Sequence, residues 1–280
     1  MLAHTFDGRW VGGPCWVQPK FNGVRALYQT VDGKGRFQSR DEHPWHPAVL
    51  EHISSVLQVL FPEPNIILDG ELYCHGWPLQ DINAAISVNR TAPTPNTKSI
   101  YYVVFDRYGE SPFFNRIQHP FNVIKTANSP VVHAATTQYV TSSSQADDFY
   151  AACIRDGFEG MMYRIGICPY TTPKQPNPTG RGFLSDKNNR TWHLLKRKAW
   201  QDDEFTCVAV EEGQGKREGM VGRFVCALPN GLTFGVGSGL SDAENIKYFQ
   251  EPPIGRQIKV KFLCYTSDGR PFNPTIEAIL

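Results

Sequence analysis

No CxxC pair occurs among the seven cysteines, which are odd in number and scattered from Cys15 to Cys264. That excludes a zinc ribbon and argues against a disulfide framework, so a reducing compartment is expected. No run approaches the roughly 18 apolar residues of a membrane-spanning helix. The opening MLAHTFDGRWVGG has no basic stretch ahead of an apolar core, so a cytoplasmic location is expected. Net charge is almost absent too, with 28 Lys and Arg against 27 Asp and Glu. A globally basic nucleic-acid binder is thereby excluded, and any such partner must be held by local patches. Internal repeats are absent as well.

What is present is globular in composition, with 41% hydrophobic and 20% charged residues. A length of 280 residues suggests about two domains. Residues 14–40 read as short aromatic and β-branched strands around a turn at Asp32 and Gly33. Val49, Leu50, Ile53, Val56, Leu57 and Leu60 share one helical face, with Pro47 suited to the first turn. The runs 65–73 and 99–108 read as buried strands, and Ser144 as the cap of a short helix. The expected class is α+β. Pro, Gly, Thr and Asn dominate 165–190, which reads as a long loop. Beyond Trp200 the pattern is all strands with a hairpin tip at Asn230 and Gly231, expected as a small all-β barrel of the OB type over 203–280.

Four short constellations carry chemistry. Lys20, Phe21, Asn22, Gly23, Val24 and Arg25 put a lysine at a strand end beside a glycine that lets a ligand approach. A desolvated lysine among cations becomes a nucleophile; read alone, it is equally a solvated lysine beside a turn. Asp69 and Glu71 flank Gly70 after an apolar strand, where carboxylates hold a ribose hydroxyl or a divalent metal, or simply end a strand. Glu159 and Gly160 lead into another strand. In Leu194, Leu195, Lys196, Arg197 and Lys198, strand alternation sends Lys196 and Lys198 to one face, a pairing suited to phosphate or to plain solvent exposure. His43 and His46 have a metal-like spacing without acidic or cysteine partners, and no zinc role is expected.

Taken together, the order KxxGxR, DGE, EG, LLKxK resembles the covalent nucleotidyltransferases, and most closely the small ATP-dependent DNA ligases. The resemblance extends over nearly the whole chain. It includes Ser39 and Arg40, Val104 to Asp106, Pro112 to Arg116, and the barrel segment GQGKREGMVGRF (213–224). It implies an adenylyltransferase domain, ATP-grasp-like, at 1–201 and an OB-fold domain at 202–280. It further implies ATP, Mg²⁺ or Mn²⁺, nicked double-stranded DNA as partner, and a monomer without an obligate protein partner.

Residue by residue, the resemblance makes Lys20 the group that attacks the α-phosphorus. Arg25 and Glu71 would hold the ribose, Phe105 would stack on adenine, and Gln18 would contact the adenine edge. Glu159 and Glu71 would bind metal, while Lys196 and Lys198 would neutralise the α-phosphate. Arg40 would meet the 5′-phosphate of the nick. Lys216, Arg217 and Arg223, on a glycine-rich hairpin, would follow the DNA backbone. Six basic residues between 181 and 198 oppose only Asp186, which suits phosphates, whereas the acidic strip 201–212 is expected to lack basic partners.

Two features depart from the family pattern. Asn22 stands where the family has aspartate, and no basic residue follows Arg270, leaving Arg256, Lys259, Lys261 and Arg270 as compositional candidates for the C-terminal motif. An RNA ligase or capping-type guanylyltransferase shares the lysine chemistry, and a non-catalytic nick-binding protein is the reading of another class. NAD⁺ in place of ATP is not expected, because that branch resembles longer chains with a four-cysteine zinc module.

Overall fold

The alternating apolar runs of the first two-thirds of the chain pair into two five-stranded sheets, as seen in a computed structural model. It describes residues 1–31, 33–64, 66–166, 169–170, 190–266 and 268–280. Asp32 of the expected first turn and most of the expected 165–190 loop, with Arg181, Asp186 and Lys187, lie outside the described residues. The chain divides into two units, Met1–Lys198 and Ala199–Leu280.

In the first unit the elements follow as β1 (Ala3–Thr5), β2 (Cys15–Lys20), β3 (Val24–Val31), β4 (Lys34–Ser39), α1 (Glu51–Leu60), β5 (Ile67–Tyr73) and α2 (Leu79–Ile86). Then come β6 (Tyr101–Arg107), α3 (Phe113–Ala127), β7 (Val132–Ala134), β8 (Gln138–Val140), α4 (Ser143–Arg155), β9 (Gly160–Arg164) and β10 (Thr191–Lys198). One sheet has the order β4-β3-β5-β6-β7, the other β1-β10-β9-β2-β8.

The larger core lies where α1 and α3 press Ile53, Leu57, Ile117, Phe121 and Ile124 against Leu68, Leu72, Tyr102 and Val104 of the first sheet. Each such side chain contributes about 2 kcal/mol relative to leaving it in water. A smaller core joins α4 to the second sheet through Ala146, Cys15, Val17, Met161 and Tyr163. Val49, Leu50, Ile53 and Leu57 are buried as their spacing predicts, although Pro47–Val49 forms a 3₁₀ turn ahead of α1. The cap of α4 is Ser142, whose hydroxyl accepts from Gln145 N, and not Ser144. The helix α3 was not legible in the pattern because Pro120 sits inside it, a residue that normally ends a helix.

The second unit contains β11 (Gln201–Glu212), β12 (Val221–Ala227), β13 (Thr233–Val236), α5 (Asp242–Gln250), β14 (Gln257–Phe262) and β15 (Thr275–Ile279). Its sheet order is β13-β12-β11-β14-β15. The long strand β11 pairs with β14 through its first half and with β12 through its second, around a core of Phe205, Phe224, Phe234 and Phe262. Gly231 takes φ +81° at the expected hairpin tip between β12 and β13.

Two expectations are corrected here. The unit is not all β: α5 starts with a capping box in which Ser241 and Glu244 satisfy each other's backbone, and its weak apolar face buries only Asn245. Nor does the acidic strip lack basic partners. Lys259, from the distant strand β14, pairs with Asp202 at 3.1 Å, and Arg223, from the next strand β12, grips Glu211 at 2.6 and 2.9 Å.

Gly160 ties the second sheet together. It takes φ +152°, and a Cβ there would lie 2.1 Å from the Arg197 carbonyl oxygen. Gly160→Ala is therefore expected to cost about 2 kcal/mol or more, read as a fall in the urea midpoint with unchanged slope. A midpoint equal to that of the parent would show that β9 and β10 can separate without cost.

Candidate active site

The register of the second sheet builds one wall of a cavity. Because side chains on a strand alternate, residues two apart share a face. Trp16, Arg164 and Leu194 lie side by side, as do Gln18, Met162 and Lys196, and then Lys20, Gly160 and Lys198. Three rows thus carry Arg164, Gln18, Lys196, Lys20 and Lys198 toward one space, while Arg197 turns to the other face, against Asp147 and the Tyr150 ring. The facing sheet supplies Arg25 from β3, Asp69 and Glu71 from β5, and Phe105 from β6. Arg164, Gln18, Lys196 and Lys20 line with them a cavity of about 240 Å³, joined by Arg40 and Arg190, while Lys198 reaches Glu159 behind Lys20.

Glu159, one residue before Gly160, is the electrostatic centre. Its Oε2 accepts from Lys20 Nζ, and its Oε1 meets Lys198 Nζ at 2.5 Å. Burial opposes its charge, but Lys20, with hydrogen bonds from Lys198 and Lys20, outweighs that and holds the carboxyl below the ordinary glutamate range. Its backbone N–H donates to Lys20 O at 3.0 Å, so side chain and main chain both fix the lysine. Lys196 lies nearby. Burial, then Arg190, Lys198 and Lys20, push its ammonium down, a cation cluster in want of an anion.

Glu71 differs. Its Oε1 accepts from Gly23 N at 3.2 Å, and burial lifts its carboxyl to about 7 against the pull of Lys20 and Arg25. Gly23 is required by this approach, since a Cβ would sit 2.5 Å from Leu72 O. Arg25 forks onto Asp69 at 2.9 and 2.7 Å, with further bonds to Met1 O and Tyr170 Oη. For Asp69, burial raises the carboxyl, and Arg25 more than reverses it.

Gln18 is wholly buried, its Nε2 donating to Phe105 O and Thr137 Oγ1 while its Oε1 accepts from Arg164. Its amide is thus engaged in setting the position of Phe105. Arg164 was missed in the sequence, as were Asp69 and Asp106 as structural anchors. The Arg164 guanidinium lies 5.2 Å from the Phe105 ring centre and shares Asp106 with Arg116, at 2.6, 2.7 and 2.9 Å. The strand β9 held the signal: Arg164 stands four residues after Gly160, hence on the same face.

Arg40 is largely exposed at the cavity mouth, 3.5 Å from Asp41. Lys216 and Arg217 fall in the second unit, on a 3₁₀ turn braced by Gly213 N to Met220 O and Gly219 N to Glu212 Oε1. Arg223 is on β12, committed to Glu211. Arg256, Lys259, Lys261 and Arg270 are each bonded or paired within that unit.

No group of three or more His, Cys, Asp and Glu gathers among the described residues, so protein atoms alone make no metal cage. Glu71 and Glu159 still fit Mg²⁺, which is commonly held by one or two carboxylates together with substrate phosphates and water. No helix of the described residues is long and apolar enough to cross a membrane.

The raised Glu71 carboxyl has a signed consequence. Folded protein binds this proton more tightly than unfolded chain between the ordinary value of 4.5 and about 7, so stability falls as pH rises through that window and levels off above it. Glu71→Gln removes the titration. Its stability relative to the parent is expected to grow from about pH 5 to about pH 8 in urea melts. A gap independent of pH would contradict the burial of this group.

Residues 1–177 match the family model of the ATP dependent DNA ligase domain, and residues 212–279 that of a DNA ligase OB-like domain. A DNA ligase of African swine fever virus is 31% identical over 227 residues, covering 78% of this chain and 49% of the relative. The chain therefore spans about half the length of that viral relative. A DNA ligase of Haemophilus influenzae is 24% identical over 283 residues, covering 97% of this chain and 88% of the relative. Among solved structures, a Lig E DNA ligase shares the fold with a TM-score of 0.76 at 21% identity, over 100% of this chain and 98% of that one.

Proposed function

The chain belongs to the ATP-dependent DNA ligase family, and on that premise we propose that it seals nicks in duplex DNA through a covalent lysyl-AMP and an adenylylated 5′-phosphate. The observation that carries the reading is the Lys20 amine, held by Glu159 beside Lys198 and Lys196 in a cavity that Glu71, Arg25 and Phe105 complete.

In the first step the Lys20 ammonium gives up a proton, and the amine so formed attacks the α-phosphorus of ATP. The N–P bond forms, the bond to pyrophosphate breaks, and pyrophosphate leaves. Glu159 Oε2, already the acceptor of the lysine's hydrogen bond, stands where the departing proton is taken up. Lys196 and Lys198 neutralise the charge that grows on the phosphate oxygens, which is the main demand of nucleotidyl transfer. Phe105 stacks on the adenine, and Gln18, its amide spent on Phe105 O, Thr137 and Arg164, sets the position of the Phe105 strand rather than reading the adenine edge. Glu71 accepts from the ribose hydroxyls beside Arg25, which Asp69 keeps flat.

Glu71 and Glu159 would hold Mg²⁺, which would supply further neutralisation of the phosphates. Arg40, at the mouth, offers a fork to the terminal 5′-phosphate, whose oxygen next takes AMP from Lys20; the 3′-hydroxyl then displaces AMP. Lys216 and Arg217 follow the backbone of the duplex, with Arg223 joining them when it lets go of Glu211. Residues 1–201 form the catalytic domain in this reading and residues 202–280 the OB domain.

Incubation with α-labelled ATP tests the first step. The parent is expected to carry label that survives denaturation, while folded Lys20→Ala and Lys20→Arg carry none, since neither side chain can form the phosphoramidate. Covalent label on either variant would remove Lys20 from the mechanism. Label on the parent without sealing of a nicked duplex would leave an adenylyltransferase whose acceptor is not a nick.

A further inference from the structure

The second unit sets two cysteines face to face, independently of the activity proposed above. Cys207 of β11 lies directly opposite Cys226 of β12. The Cys207 N–H donates to Arg256 O at 2.9 Å, and its carbonyl accepts from Gly255 N at 2.8 Å, both on the β14 side of the strand. A residue whose two backbone groups bond one neighbour meets the other neighbour as a non-hydrogen-bonded partner. That is the closer of the two antiparallel pairings, with Cα atoms about 4.5 Å apart. Disulfides span Cα separations of about 4.4–6.8 Å. Both side chains are wholly buried in one apolar core, so they share a face of the sheet, and both thiols are free. No other strand register among the described residues opposes two cysteines.

We infer that Cys207 and Cys226 are a redox pair, which a small-molecule disulfide converts into a cross-strand cystine. With oxidised glutathione, the Cys207 thiolate attacks one sulfur of the oxidant. A mixed disulfide forms and one glutathione thiolate leaves. The Cys226 thiolate then attacks the Cys207 sulfur, closing the protein disulfide and expelling the second glutathione. Two protein thiols have given up two electrons and two protons, and one glutathione disulfide has become two glutathione thiols. Burial pushes both thiols up, Cys226 to about 12, so the exchange is slow and requires β12 to lift from β11. The bridge closes the loop that carries Lys216 and Arg217, tying the base of that hairpin.

The full chain is brought to equilibrium in glutathione buffers of increasing oxidised share, quenched with acid, alkylated, digested and mapped by mass spectrometry. The expected result is a peptide pair joined through Cys207 and Cys226 that comes to dominate, a loss of two titratable thiols, and recovery of both in reduced glutathione. Cys226→Ala is expected to lose the linked pair; Cys226→Val, closer in volume to a filled core, serves if the alanine variant does not fold. Retention of both thiols at equilibrium in oxidised glutathione alone, with native circular dichroism, would overturn the inference. So would a bridge that joins either cysteine to a different partner.

Discussion

One carboxylate shared between two ammonium groups governs the arrangement of this cavity. Glu159 is only 14% exposed, and Lys20 and Lys198 are each 20% exposed, so none of the three charges keeps a full hydration shell. Such a group is tolerable only when its partners are close and well directed. The backbone makes that possible: Gly160 lets β2, β9 and β10 pack without a Cβ between them, bringing Lys20 and Lys198 to the same height on either side. The triad carries one excess positive charge, and Lys196 adds another, which makes the cavity receptive to phosphate.

Two further buried carboxylates hold the surrounding walls. Asp106 accepts from Arg116, Arg164 and the Arg107 amide, and through Arg164 it fixes Gln18 and the Phe105 ring. Asp69 fixes Arg25. Removing one member of a buried pair leaves its partner uncompensated, so these networks stiffen the cavity where a pocket shaped by apolar contacts alone would give. The Glu71 carboxyl has no such guanidinium fork, only the Gly23 amide and more distant cations, and burial drives it upward where Asp69 and Glu159 are held down.

Much of this was legible in the sequence because local pattern coincides with the final geometry. The helical spacing from Val49 to Leu60 and the strand alternation of Lys196 and Lys198 are both properties of short windows. The hairpin tip at Asn230 and Gly231 is another. What escaped is what depends on which strands pair and in what register. The acidic residues of β11 find Lys259 and Arg223 only once β14 and β12 lie beside them. Arg164 becomes part of the cavity only when β9 sits between β2 and β10. The helices α3 and α5 escaped for local reasons, the first through Pro120 and the second through a polar face that buries Asn245 alone.

The central claim is that Glu159 and Lys198 act as one unit in presenting Lys20. A double-mutant cycle of Glu159→Gln and Lys198→Met, read on the single-turnover rate of lysyl-AMP formation in folded proteins, tests it most directly. The account predicts strong non-additivity, with the double variant about as slow as the worse single variant and a coupling above about 1 kcal/mol. Rate losses that multiply independently would contradict it.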